Sequence, residues 1–274
     1  MTINCKGNLI DLSQPKVMGI LNITPDSFYD GGKYTKEKNI LLQVESMLHE
    51  GATFIDVGAY SSRPGATEIS EEAETKRIVP VIEALQKEFP ESLLSIDTFR
   101  SNVAKECLQV GAAMINDISA GMLDENMFDT IAAYQVPYIM MHMRGNPKNM
   151  QQQTNYENLL TEILQFFSER IVLARAKQIN DLMVDPGFGF AKNIAQNYEL
   201  LRQLHLFQTF ELPILAGLSR KSMIYKILGG SAENALNGTT ALNMVALQKG
   251  ASILRVHDVK EAVECIKLAK ALAS

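Results

Sequence analysis

Residues 182–190 read Leu182-Met183-Val184-Asp185-Pro186-Gly187-Phe188-Gly189-Phe190, a short apolar run that stops at an aspartate and a proline–glycine break. A strand covered on both faces has this form, because neither side of it needs polar residues. Seven further runs repeat the pattern. Val17-Met18-Gly19-Ile20-Leu21 leads into Asn22, Phe54-Ile55 into Asp56, and Leu93-Leu94-Ser95-Ile96 into Asp97. Ala113-Met114-Ile115 leads into Asn116-Asp117, and Tyr138-Ile139-Met140-Met141 into His142. Ile214-Leu215-Ala216-Gly217 precedes Ser219-Arg220-Lys221, and Ile253-Leu254-Arg255-Val256 ends at His257. Parallel barrels place their chemistry at the carboxyl ends of such strands, so these polar residues mark the candidate site.

Segments with helical spacing fill the gaps, over 35–50, 71–89, 102–110, 125–134, 154–178, 194–207, 232–248 and 259–272. Within 35–50, the residues Ile40, Leu41, Val44, Met47 and Leu48 fall on one face. Pro80 predicts a bend or break in the second helix. Thr154 with Glu157, and Asp258 with Glu261, have the spacing of capping boxes. Strand and helix alternate eight times with no linker or low-complexity tract. A doubly wound sheet shares that alternation, but its dinucleotide-binding version needs Gly-x-Gly-x-x-Gly after the first strand. Here the first turn reads Asn22-Ile23-Thr24-Pro25-Asp26-Ser27-Phe28, and a phosphate-loop motif is also missing. The expected fold is α/β, a (β/α)8 TIM barrel making a single domain over residues 1–274.

A net charge of −5 argues against bulk binding of nucleic acid or an anionic membrane. Cys5, Cys107 and Cys265 are odd in number and far apart, which suits a reducing compartment. The first residues carry Lys6 and no apolar core of a signal peptide, and no run has the ~20 apolar residues of a membrane span. The chain reads as cytoplasmic.

Three constellations carry chemistry. Arg220 and Lys221 after the seventh strand, with Arg255 and His257 ending the eighth, bring cationic groups to neighbouring strand ends, where barrels commonly hold phosphate. The alternative for each cluster is an ion-pair network with nearby acids such as Asp258. Acceptors form the second set: Asn22, Asp56, Asp97, Asn116 and Asp185 end other strands. Carboxylates in a barrel mouth suit a flat heterocycle with an N–C–N edge, matched by two parallel N–H···O bonds. For Asp56 and Asp117 the expected role is capping the next helix, and for Asp97 and Asp185 it is the pocket. Third, the βα connections over 22–34 and 59–68 are long and rich in Gly, Pro and Ser, the composition of lids. Phe188 and Phe190 could flank a planar ligand or pack beneath their loop. Neither histidines nor cysteines have zinc-ligand spacing, whereas a magnesium ion held mainly by substrate phosphates would leave no stronger trace than Asn22.

Together these motifs resemble the dihydropteroate synthases, the pterin-binding family of the folate pathway. The resemblance runs over roughly residues 15–268 and includes Gly58–Ala66, Ser95-Ile96-Asp97-Thr98, Met141-His142-Met143-Arg144-Gly145-Asn146-Pro147, Ser219-Arg220-Lys221-Ser222 and Arg255-Val256-His257-Asp258. Ser62 stands where the family usually has threonine, which keeps the hydroxyl, and Ala59-Tyr60 replaces a more typical Gly-Glu pair. The resemblance implies condensation of 6-hydroxymethyl-7,8-dihydropterin diphosphate with p-aminobenzoate, giving 7,8-dihydropteroate and diphosphate. It implies that Asp97, Asn116, Asp185 and Lys221 grip the pterin, that Ser62, Arg255 and His257 hold the diphosphate, and that Asn22 reaches a bridging Mg2+. Phe28, Arg63, Pro64, Phe190 and Ser222 would shape the p-aminobenzoate pocket. It implies a homodimer through the outer helices. Two alternatives share the acceptor pocket: a methyltransferase acting on a methylated folate, and a catalytically silent pterin-binding paralogue.

If the two long connections build the second-substrate pocket, p-aminobenzoate should bind weakly to the free protein and well once Mg-diphosphate fills the anion site. Calorimetric titration of p-aminobenzoate with and without Mg-diphosphate reads this directly. Equal affinities would leave those connections no part in forming the pocket.

Overall fold

The computed structural model describes residues 1–23, 33–60 and 69–273. Phe28, Ser62, Arg63 and Pro64, and most of both long connections, lie outside the described residues. The eight apolar runs form eight parallel strands: β3 (Lys16–Asn22), β4 (Phe54–Gly58), β5 (Leu93–Asp97), β6 (Met114–Asp117), β7 (Tyr138–Met141), β8 (Leu182–Asp185), β9 (Leu215–Ala216) and β10 (Ile253–Val256). Their spatial order is β8-β7-β6-β5-β4-β3-β10-β9, and a parallel bridge between Val184 and Ile214 joins the two ends. The sheet therefore closes as a (β/α)8 barrel.

Helices follow each strand: α1 (Lys33–Glu50), α2 (Glu71–Glu88), α3 (Ser101–Gln109), α4 (Met127–Tyr134), α5 (Leu159–Ala176), α6 (Ile194–Arg202), α7 (Ser222–Leu228), α8 (Leu236–Gln248) and α9 (Val259–Ala273). Outward strand residues such as Ile55, Val57, Leu94 and Ile96 pack with Ile40, Val44, Ile78 and Ile82 from the helices, forming the main core between barrel and helical ring. Among the described residues no helix is long and apolar enough to cross a membrane.

Several boundaries differ from the sequence expectation for identifiable reasons. Helix α2 continues through Pro80, which sits on its exposed face, where the carbonyl lacking a partner can turn to water. The fifth helix does not start at Thr154. Asn158 caps it by accepting from Thr161 N–H, and Glu162 reaches back to the Asn158 N–H at 3.0 Å. The Asp258 carboxylate is bonded through both oxygens to Arg220, and the capping box that forms lies instead at Asn193 and Gln196. The stretch expected as one helix over 194–207 divides into α6 and a 3-10 turn, Leu204–Phe210. Helix α7 has 7 residues, too few to show helical periodicity in sequence.

The first residues form an element that the sequence reading left out. Strands β1 (Thr2–Cys5) and β2 (Asn8–Asp11) pair antiparallel around Lys6-Gly7, both at positive φ of 54° and 83°. That pair of left-handed residues is the type I′ hairpin turn, and glycine at its second position avoids the steric cost. Ile3, Cys5 and Leu12 pack with Met18, Phe54, Met114, Ile139, Met183, Leu215 and Ile253, residues near the amino ends of the barrel strands. The hairpin thus plugs the bottom of the barrel, opposite the polar strand ends. Ile3→Ala should therefore cost roughly 2–5 kcal/mol of stability, as buried truncations do, and leave ligand affinity at the other end unchanged. Denaturant unfolding and a ligand titration on the same sample check both parts.

Candidate active site

Alternation along the strands turns every second side chain into the barrel, and at the carboxyl ends these are Asp56, Asp97, Asn116, Asp185 and Arg255. Arg255 lies across the mouth. Its Nε donates to Asp56 Oδ2 at 2.6 Å and its Nη2 to Asp97 Oδ2 at 2.7 Å. Asn116 Nδ2 donates to the same Asp56 oxygen at 2.9 Å, so the amide presents its Oδ1 to the space above. Asp56 was expected to cap a helix; it is instead wholly buried inside the barrel, holding Arg255 and Asn116 in register. Its Oδ1 is buried without a partner among the described residues, beside the equally unpartnered Ser95 Oγ of the neighbouring strand. Burial pushes the Asp97 carboxyl up, against the pull of Arg255 and with the repulsion of Asp56. Burial draws the Arg255 guanidinium down, but Asp56 and Asp97 more than offset it and hold it above the ordinary value.

Asp185 faces this group from the other side. One oxygen accepts the Gly187 N–H at 2.8 Å, as the turn after β8 folds back over the strand end. Burial raises its carboxyl, opposed chiefly by Lys221. Lys221 donates to the Phe188 carbonyl and lies 5.0 Å from the centre of the Phe190 ring. Burial draws the Lys221 ammonium down to about 8, with Asp185 opposing. Asp97, Asn116, Asp185, Phe190, Lys221 and Arg255 line a single small enclosed pocket, completed by Ile118, Met141 and Gly217. Its wall is one aromatic face and its polar atoms are acceptors flanked by two cations, a lining suited to a flat, donor-edged heterocycle.

The cations expected to form one anion site are divided among separate partners. Arg220 is tied to Asp258 at 2.7 and 2.9 Å and to the carbonyls of Ala232 and Glu233, so it fastens the connection to α8 rather than facing a ligand. Arg255 points into the pocket. His257 stays at the rim, where Ser219 Oγ accepts its backbone N–H at 3.2 Å and lies 2.9 Å from its Nδ1. Ser222 begins α7 directly after Lys221, and Asn22 ends β3 half-buried. Asp117 is structural: it accepts from Ser119 N–H and Oγ–H, Gly121 N–H and Tyr138 Oη–H, all at 2.6–2.7 Å. It orders the connection after β6, while Asn126 occupies the cap position of α4.

A buried acceptor pocket crossed by an arginine at the mouth of a (β/α)8 barrel defines a class of heterocycle-binding barrel enzyme. The family model described as "Pterin binding enzyme" matches residues 18–257. The dihydropteroate synthase of Escherichia coli (strain K12) is 43% identical over 278 positions, spanning 100% of this chain and 97% of its own. The dihydropteroate synthase of Yersinia pestis, solved with a sulfonamide drug, superposes with a TM-score of 0.93 at 44% identity, covering 100% of this chain and 99% of that one. That of Xanthomonas albilineans, solved with 4-aminobenzoic acid, gives a TM-score of 0.93 at 38% identity, covering 100% and 98%. The chain belongs to the pterin-binding enzyme family, on its dihydropteroate synthase branch.

The geometry makes Asp56 more than a core residue. Asp56→Asn keeps the volume but removes the carboxylate that balances Arg255. Breaking a buried ion pair from one side costs roughly 3–5 kcal/mol, so the melting temperature should fall. Pterin affinity should fall with it, because Arg255 and Asn116 both lose their anchor. Thermal melting and a pterin titration of the variant read the two effects; full pterin affinity would leave Asp56 with a purely structural role.

Proposed function

We propose that this pocket and its rim condense 6-hydroxymethyl-7,8-dihydropterin diphosphate with p-aminobenzoate, forming 7,8-dihydropteroate and diphosphate in folate biosynthesis. The observation that carries the reading is the convergence of Asp97, Asn116 and Asp185 with Lys221 and Arg255 around one pocket of heterocycle chemistry. Asp185 and Asn116 would take the N–H donors of the pterin edge, Lys221 would donate to its ring acceptors, and Phe190 would cover one face. The methylene and its diphosphate then lie toward His257 and the remaining guanidinium nitrogen of Arg255.

The reaction follows from these charges. The carbon–oxygen bond to diphosphate breaks with the electron pair leaving on oxygen, and donors from Arg255 and His257 stabilise the growing negative charge. The methylene left behind is cationic and conjugated with the ring, and the Asp97 and Asp185 carboxylates lower its energy. The amine nitrogen of p-aminobenzoate forms the new bond and its proton departs to diphosphate or solvent. No enzyme nucleophile is needed. Ser222 and Phe190 contribute to the second-substrate pocket, as do Phe28, Arg63 and Pro64 beyond the described residues, and Ser62, also beyond them, adds a hydroxyl to the diphosphate grip.

Mg2+ fits the donor set. Among the described residues no group of three or more His, Cys, Asp or Glu could hold a metal, and Asn22 supplies one neutral oxygen at the rim. That suits an ion bound mainly through diphosphate oxygens and water, with Asn22 as its protein ligand. When bound, it would supply further charge neutralisation for the leaving group. Three buried free thiols, Cys5, Cys107 and Cys265, support a cytoplasmic location, and the family resemblance supports a homodimer.

Diphosphate release that depends on p-aminobenzoate is the direct test, and it separates this reading from a folate methyltransferase and from a silent pterin binder. Asp185→Asn should sharply reduce pterin binding with little change in melting temperature, because a donor amide then meets the pterin's own N–H. A large loss of stability with intact pterin affinity would return Asp185 to a structural role.

A further inference from the structure

Behind the pocket, on the far side of the turn after β8, lies a buried lysine that is not among the pocket-lining residues. Lys192 is 3% exposed, and its Nζ has three partners: the Gly187 carbonyl at 3.1 Å, the Phe190 carbonyl at 3.0 Å and His142 Nδ1 at 3.0 Å. An ammonium has three N–H donors and no acceptor, so this set satisfies the charged form completely. His142 is fitted to its part. Burial, then the neighbouring Lys192 charge, holds its pKa well below the ordinary value, which keeps the ring neutral and Nδ1 able to accept.

The two carbonyls belong to the turn that carries Asp185 and Phe190. Asp185 Oδ1 accepts the Gly187 N–H, so the direction of the carboxylate follows the position of Gly187. Gly187 has φ +74°, and a Cβ there would collide with the His142 carbonyl, so the turn lies flat against the end of β7. Lys221 holds the Phe188 carbonyl from the pocket side, while Lys192 holds Gly187 and Phe190 from behind. Without Lys192, the Phe190 carbonyl would lose its donor and the Gly187 carbonyl would keep only the Phe190 N–H at 3.1 Å, and a turn that shifts to recover the lost bonds carries Asp185 and Phe190 with it.

We infer that Lys192, seated on His142, is a positioning residue for pterin recognition, fixing the Asp185 carboxylate and the Phe190 ring through the backbone between them. This rests on the pterin reading given above.

The test uses the full chain and unphosphorylated 6-hydroxymethylpterin as the probe, with calorimetry for affinity, thermal melting for the fold and steady-state kinetics. Lys192→Met should weaken pterin by about tenfold or more and raise the KM for the pterin diphosphate. His142→Leu should show part of that loss. His142→Asn, whose side-chain carbonyl falls near the position of Nδ1, should restore pterin affinity close to the parent value. Parent-like pterin affinity in folded Lys192→Met would overturn the inference. If Lys192→Met does not fold, the His142 pair decides: equal affinities for His142→Leu and His142→Asn would overturn it equally. A parent protein that binds no pterin would instead refute the functional reading beneath it.

Discussion

The mouth of this barrel depends on one guanidinium placed between two carboxylates, Asp56 fully buried and Asp97 half-buried. Asp56 and Asp97 stand on adjacent strands, and left alone they would repel each other in a region with little water. Arg255 bridges them, with Nε to one and Nη2 to the other at 2.6 and 2.7 Å. Buried charges persist only when paired, so the arrangement is a condition of having acceptors there at all. The pattern extends around the pocket: Asp185 faces Lys221, and the turn that positions Asp185 is tied down by Lys192. Lysine in place of Arg255 would be a single point charge, unable to serve two carboxylates in fixed directions at once.

This pairing also explains how one site can serve two kinds of ligand group. The floor offers acceptors and an aromatic wall to a heterocycle, while His257 stands at the rim beside Ser219. The two are joined by Arg255, whose engagement with Asp56 and Asp97 brings it into the floor while a third nitrogen remains for the rim. A guanidinium oriented in advance needs no rearrangement as charge develops on a leaving group, which is where an enzyme gains most from fixed dipoles and charges.

Much of this was legible in the sequence because strand ends and polar residues coincide. Asp97, Asn116, Asp185, Lys221 and Arg255 were each placed at a strand end by hydrophobic runs alone, and the barrel brings them together. Asp56 was misread as a cap because an aspartate after an apolar pair looks the same whether it turns inward or toward the next helix; only the register with Ser95 and Ile20 separates the two. Arg220 resembled an anion ligand because it adjoins Lys221, yet its backbone is left-handed at φ 56° and its side chain turns to Asp258. Lys192 gave no signal, since its partners are two backbone carbonyls and a histidine 50 residues away. The amino-terminal hairpin was overlooked for want of length, although Lys6-Gly7 between short apolar strands carries its turn signature.

The central claim is that the Arg255 guanidinium organises the pterin pocket, beyond any contact with phosphate. Calorimetry of unphosphorylated 6-hydroxymethylpterin with Arg255→Lys tests it most directly, because the charge is kept, the bridge is lost and no phosphate is present. The account predicts pterin affinity lower by about tenfold or more, as expected for losing a charge-assisted hydrogen bond at the pocket floor. Unchanged affinity for this ligand would contradict it and confine Arg255 to the diphosphate.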